Sequence, residues 1–300
     1  MARRAFLSFF VSLALFALAG RGDAAALNPP RNNVTFTPSR RTLTAPLTVY
    51  IIWYGQWPDA DRAILNDFIK GLQTSDFWKI NTMYYTANDT NPANRKDISS
   101  SVTLGPSVTD NYSLGKSPNG LQHNDISRIV YSHISQGRLP TNLEGGIYTV
   151  LLDEHVAEGD FCRFHTSIQS DFQDAKDKNS TVNGIDPNFP DYAYGWIGNP
   201  KACGQITRMI AFGWHNHLSS PNGNPGVDSL LSVIAYEIVE SATNPTTVEG
   251  WLTVDGNKNG NEPITLHGHL FMYSQLPTVL ACRRIRWDIG TTLNGTVENT

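Results

Sequence analysis

The chain has 300 residues, 40% hydrophobic and 17% charged, with 23 basic against 27 acidic side chains and a formal net charge of -4. That balance offers no basic face for a nucleic-acid backbone and no acidic tail, so nucleic acid is not an expected partner. Three cysteines are too few to staple a disulfide-framework module, so an ordinary apolar core must hold the fold.

At the N-terminus Arg3 and Arg4 precede an apolar run from Ala5 to Ala19, followed by small residues and Arg21-Gly22-Asp23. This is the pattern of a signal peptide, assigned to residues 1–20. The run falls short of the ~20 apolar residues of a membrane-spanning helix, and no second run of that length follows, so no membrane span is expected. Residues 21–46 read as a leader segment, rich in Asn, Pro, Arg and Thr from residue 27 onward and without apolar period. Residues 47–300 read as a single domain. Five Asn-x-Ser/Thr sequons, at Asn33, Asn88, Asn111, Asn179 and Asn294, agree with passage through a glycosylating compartment; Pro245 disqualifies Asn244.

LTVYIIWYG, residues 47–55, is a nearly unbroken β-branched and aromatic run, as in a strand covered on both faces. Pro58 then opens a helix with Asp59 and Asp61 in its first turn, where carboxylates favour the positive end of the dipole. Ile64, Leu65, Phe68, Ile69 and Leu72 give it one apolar face. Residues 77–85 suggest a shorter second helix, and 101–110 a strand interrupted by Gly105-Pro106. Ile126, Ile129, Val130, His133 and Ile134 repeat with helical period over 124–136, with Gly137 as the stop. Residues 146–155 are another buried strand. Residues 191–199 read as a strand near the sheet edge, and the polar stretch 166–190 as a surface excursion. Strands alternating with helices indicate an α/β layered domain.

Residues 221–245, PNGNPGVDSLLSVIAYEIVESATNP, carry the clearest chemical signal. Asp228 is the expected N-cap, Val227, Leu230, Leu231, Ile234, Ile238 and Ala242 form a core stripe, and Pro245 ends the helix. Tyr236, Glu237 and Glu240 share one face, because residues three and four apart are neighbours on a helix. Zinc metalloproteases place a His ligand, a Glu general base and a second ligand at this spacing. Here Tyr236 stands at the first ligand position, and a phenol must lose a proton of pKa ~10 before it can bind a metal. The plainer reading is a solvated amphipathic helix with two surface glutamates.

Asp255, Asn257, Asn259 and Gly260 match the first half of a calcium loop, but its twelfth place holds Leu266, so a polar turn is favoured. Glu262 is a further carboxylate that could reach a metal held by the helix. The pairs His215/His217 and His267/His269 have metal-compatible spacing, with nothing nearby to complete a ligand set. His165 lies close to Cys162. The simplest arithmetic for Cys162, Cys203 and Cys282 is one bridge and one leftover thiol.

LTVYIIWYG, FCRFHTS, YGWIGNPKACGQ, the 221–245 segment and the later GNE together resemble the phosphate-induced protein 1 / EXORDIUM-like family, across most of residues 47–282. The resemblance implies a mixed β-sheet packed by helices with a zincin-like core, in a secreted, cell-wall or apoplast-associated protein linked to growth or nutrient response, with no defined reaction. Many members carry His where this chain has Tyr236, which implies a degenerate site: Glu237 catalytic only if the chain is an enzyme, with Tyr236, Glu240 and Glu262 as the metal set. The family cysteine pattern implies a Cys162–Cys203 bridge. The expected role is therefore non-catalytic binding, with cell-wall polysaccharide or a surface protein as partner and no cofactor. The alternative is a zinc-dependent hydrolase. Trp53, Tyr54, Trp57 and Trp214 are candidate sugar-stacking rings.

Overall fold

The computed structural model describes residues 42–87, 91–116, 121–156, 161, 185–186, 189–190, 192–203, 222–245 and 250–252, and the backbone of the short strands 35–36, 167–171, 284–286 and 296–298. Its centre is a six-stranded sheet. Strand β1 (Leu47–Tyr54) leads by way of helix α1 (Asp59–Leu72) and the short helix α2 (Asp76–Asn81) to β2 (Val102–Leu104) and β3 (Val108–Asp110). Helix α3 (His123–Ser135) returns the chain to β4 (Gly146–Leu152); β5 (Ser167–Asp171), β6 (Ala193–Ile197) and helix α4 (Pro225–Thr243) follow.

The strand order is β2-β1-β4-β6-β5, with β3 also pairing β1. β2 and β3 are two pieces of one edge line along β1, from Leu47↔Val102 to Tyr54↔Asp110, broken where Gly105-Pro106 removes a ladder donor. β1, β2, β3, β4 and β6 are parallel; β5 alone runs antiparallel, along β6. β1 is buried along nearly its whole length and β4 and β6 throughout, which is why they read as continuous apolar runs.

From β1 the chain crosses to β2 on one side, and from β3 it crosses back over β1 to β4 on the other. Right-handed crossovers in opposite directions put α1 and α3 on opposite faces. Accordingly α1 packs on β2 and α4, and α3 on β4 and β6. The expected apolar faces do this packing: Leu65, Phe68, Ile69 and Leu72 of α1, and Ile126, Ile129, Val130 and Ile134 of α3, are buried. Gly137 ends α3 at φ 69, a left-handed conformation that glycine adopts without strain.

Four expectations need correction. β6 stands one place in from the sheet edge, as expected, between β4 and β5, but the stretch before it is not a bare surface excursion: it holds the edge strand β5. The short second helix ends at Asn81, and Tyr85–Thr86 pairs as a strand with Lys96–Asp97. Asp228 is not the N-cap of α4. Asn224 caps it, its Oδ1 accepting the Val227 N–H at 3.3 Å with Pro225 as the first helical residue, while Asp228 lies in the first turn and accepts from Asn222. Nor is α4 a solvated helix. It packs against β5, β6 and α1, and Glu237 and Glu240 are 4% and 5% exposed. Its sequence is apolar around most of its circumference, the mark of a helix buried on all sides.

Upstream of β1, Leu43 is buried and its N–H donates to the Ala242 carbonyl at 2.9 Å, while Thr35–Phe36 pairs with Trp251–Leu252. Residues 1–20 and the half calcium loop lie outside the described residues, as do His165, Trp214, the two histidine pairs, Cys162, Cys282, Glu262, and Asn33, Asn88, Asn179 and Asn294. Cys203 is buried and disulfide-bonded, and its partner is not among the described residues. No helix among the described residues is long and apolar enough to cross a membrane.

Candidate functional site

The parallel strands end in register, Tyr54 beside Asp110 and Leu152, Leu151 beside Ile197, so the residues that follow each strand meet at one end of the sheet. The chain departs from β1 and β4 in opposite directions, which opens a crevice between their carboxyl ends, the place where open α/β sheets bind ligands. It has a volume of about 510 Å3. Gly55, Gln56 and Trp57 after β1, Thr109 and Asn111 at the end of β3, Glu154 and His155 after β4, and Asn199 and Lys201 after β6 line it. Asp61 and Arg62 from the first turn of α1 complete the wall.

Asp153, the first residue after β4, ties the chain after β1, β3 and β4 together beside the crevice. It is 1% exposed, and its carboxylate accepts three hydrogen bonds: from the Gln56 N–H at 2.8 Å, the His155 N–H at 2.9 Å, and the Tyr112 hydroxyl. A buried carboxylate is tolerable only when its oxygens are satisfied in this way. Gly55 is required beside it: at φ 98 a Cβ would stand 2.3 Å from Asp153 Oδ2. The chain after β3 is held as firmly. Asp110 accepts from the Ser113 N–H and hydroxyl, both at 2.7 Å, and its Oδ2 lies 3.1 Å from Nε2 of the fully buried His133.

The crevice carries four charged side chains of alternating sign. Arg62 donates to the Trp57 carbonyl at 3.2 Å and to Thr109 Oγ1 at 3.0 Å. Lys201 Nζ lies 3.7 Å from Asp61 Oδ2 and 4.0 Å from a Glu154 carboxylate oxygen. Asp61, expected only as a dipole partner of its helix, is 4% exposed. Its Oδ1 accepts from Asn224 Nδ2 at 2.7 Å, while its Oδ2 is buried without a hydrogen bond. The Lys201 ammonium balances its charge from 3.7 Å, so a buried carboxylate and a cation are set together into the crevice wall.

On α4, Glu237 and Glu240 are buried and Tyr236 is half-buried beside them. The Tyr236 phenol is pushed well above its ordinary value, first by burial, then by the charges of Glu240 and Glu237 and by its hydrogen bond to Glu240. A phenol must lose its proton to bind Zn2+, which burial and the neighbouring carboxylates oppose. Among the described residues no group of three His, Cys, Asp or Glu stands close enough to hold a metal ion. Nor do Trp53, Tyr54 and Trp57 form a stacking platform: at 1%, 0% and 6% exposure they are core, and the Trp57 indole N–H donates to the Leu151 carbonyl at 3.1 Å.

The sequence reading missed the crevice because its residues are single polar positions scattered from Gly55 to Lys201. The available signal was positional. Each of these strands is followed at once, or after a single glycine, by polar residues: Gln56 after β1, Asn111 after β3, Asp153-Glu154-His155 after β4 and Asn199 after β6.

A profile of the phosphate-induced protein 1 conserved region matches residues 40–271. The chain is 33% identical to Protein EXORDIUM-like 3 of Arabidopsis thaliana over 230 residues, covering 70% of this chain and 61% of that protein. It is 26% identical to Protein EXORDIUM-like 5 of the same plant, over 69% of this chain and 56% of the relative. Protein PHOSPHATE-INDUCED 1 of Nicotiana tabacum is 28% identical over 254 residues, 78% of this chain and 72% of the relative. The chain thus spans less than two thirds of the length of the two EXORDIUM-like proteins. No solved structure matches it. With the profile covering most of the α/β unit and the strand-end crevice lying within it, the chain belongs to the phosphate-induced protein 1 family.

Proposed function

We propose that this chain is an exported, cell-wall-associated binding protein of growth or nutrient response, and that it takes its ligand in the crevice at the carboxyl ends of β1 and β4 without catalysing a reaction. The observation that carries the reading is the crevice itself, opened where the chain leaves β1 and β4 in opposite directions and lined by Asp61, Arg62, Glu154 and Lys201. The apolar N-terminal run, the sequons and a Cys162–Cys203 bridge, for which the disulfide-bonded state of Cys203 is support, fit an extracellular setting. The nutrient link comes from the tobacco relative, whose name describes it as phosphate-induced.

The partner is wall polysaccharide or a surface protein. The test is retention of the purified chain on cellulose, xylan and pectin, beside an Asp61→Ala variant whose folding is checked by circular dichroism. Retention by the wild type that the variant loses supports the reading. Equal retention of both would move the binding site away from the crevice.

A zinc-dependent hydrolase with a zincin-like core has one observation in its favour: Glu237 and Glu240 are buried side by side, a costly placement that often marks function. In that reading Glu237 is the base and Tyr236, Glu240 and Glu262 hold the metal. Stoichiometric zinc in the purified chain, lost on Glu240→Ala, would establish it over the binding reading.

A further inference from the structure

We propose that Asn111 is N-glycosylated and that its first sugars lie over the strand-end crevice, so that the modification governs access to the site. The inference rests on the reading of an exported chain that binds through this crevice. Asn111-Tyr112-Ser113 is the one sequon whose asparagine is among the described residues, and that asparagine is the first residue after β3, exposed on the rim of the crevice. Its side-chain amide enters none of the hydrogen bonds among the described residues, so nothing there competes for Nδ2.

The attachment point is rigid. Tyr112 sits at φ 57, a conformation few side chains adopt, and is fixed by its bond to Asp153 and by Lys116, whose ammonium lies 4.0 Å from the ring centroid. Ser113 is anchored twice to Asp110. A glycan on Asn111 therefore starts from a fixed point on the crevice wall. The wall in turn suits a sugar. Lys201 and Arg62 are donors, Asp61 and Glu154 are acceptors, and the charges of the two acids balance those of the two bases. A hydroxyl both donates and accepts, so a neutral polyhydroxylated group meets this alternation as no single ion does.

The modification is a group transfer from a lipid diphosphate-linked oligosaccharide. The Asn111 Nδ2–C1 bond forms, the C1–O bond to the diphosphate breaks, the lipid diphosphate leaves, and the amide gives up one proton. In the folded chain the Ser113 hydroxyl is engaged by Asp110, so transfer must precede closure of this turn.

The test is expression of the full chain in a glycosylating secretory host, with occupancy of each sequon read by peptide mass spectrometry. The native protein is then treated with peptide N-glycosidase. Asn111 should be occupied, and its glycan should be released roughly tenfold more slowly from the native than from the denatured chain, the effect of one or two hydrogen bonds to charged groups. Asp61→Asn, and separately Lys201→Ala, should speed release from the native chain while leaving other occupied sequons unchanged. An unoccupied Asn111 beside other occupied sequons would overturn the inference and leave the export reading standing. So would equal release from native and denatured chains, or variants without effect. An unsecreted chain with every sequon bare would instead overturn the export reading itself.

Discussion

Replacing Asp153 by Asn tests how the chain beside the crevice is held. The carboxylate accepts from Gln56, His155 and Tyr112. A carboxamide has one acceptor oxygen and one NH2. Its best orientation leaves the oxygen facing Gln56 and Tyr112 and turns the NH2 against the His155 N–H. One charge-assisted bond, worth about 1.5–3 kcal/mol, is lost, and the other two become neutral and weaker. Relief of carboxylate burial offsets part of this, leaving a net cost of about 3 kcal/mol. At about 2–4 °C per kcal/mol for a chain of this size, the thermal midpoint should fall by roughly 6–12 °C. Urea unfolding should show a lower midpoint with an unchanged slope. Tyr112→Phe removes one donor and leaves the other two in place, so it should cost about 1.5 kcal/mol. An Asp153→Asn chain within about 0.5 kcal/mol of the wild type would refute the reasoning, because a satisfied buried carboxylate cannot be exchanged for its amide at no cost.

Gly55→Ala should destabilise by about 1–3 kcal/mol from backbone strain alone, and more from the collision with Asp153; differential scanning calorimetry reads both. At alkaline pH, Tyr54 and Tyr148 are each pushed up to about 12, chiefly by burial, and Tyr112 is raised by burial and by its bond to Asp153. A raised folded value means stability that is complete below the ordinary phenol value of 10.0 and is lost as pH climbs toward 12. Tyrosinate absorbance should therefore rise together with unfolding, not ahead of it. At acid pH, burial raises the Asp110 carboxyl, but the bond from His133 and those from the Ser113 amide and hydroxyl outweigh it, and the group is lowered overall. Its contribution is present above the ordinary carboxylate range and lost as pH falls through the depressed value, so Asp110→Asn should flatten the acid limb of the stability curve.

The sequence revealed the scaffold well where a single signal dominated. The unbroken apolar run of β1, the one-sided stripe of α1 and the Gly105-Pro106 break between β2 and β3 were each visible, because burial on both faces, helical period and a missing ladder donor leave local marks. The edge strand β5 left none: its sequence, SIQSD, is mostly polar, and a polar stretch reads alike as a loop or as an edge strand. The surroundings of α4 were missed for a related reason. Tyr236, Glu237 and Glu240 mark a polar side by spacing, but only the neighbouring β5, β6 and α1 decide whether that side meets water. Asp61 and Lys201 are 140 residues apart and meet only through the strand order, so nothing local announces the crevice.

Asn224 has a double engagement whose consequence is a restriction on substitution. Its oxygen closes the first turn of α4 and its amide nitrogen holds Asp61. At most helix starts Asp, Ser and Asn are interchangeable. Here Asp would set two carboxylates face to face and Ser has no second arm to reach across, so the position is reserved for a side chain that accepts on one side and donates on the other.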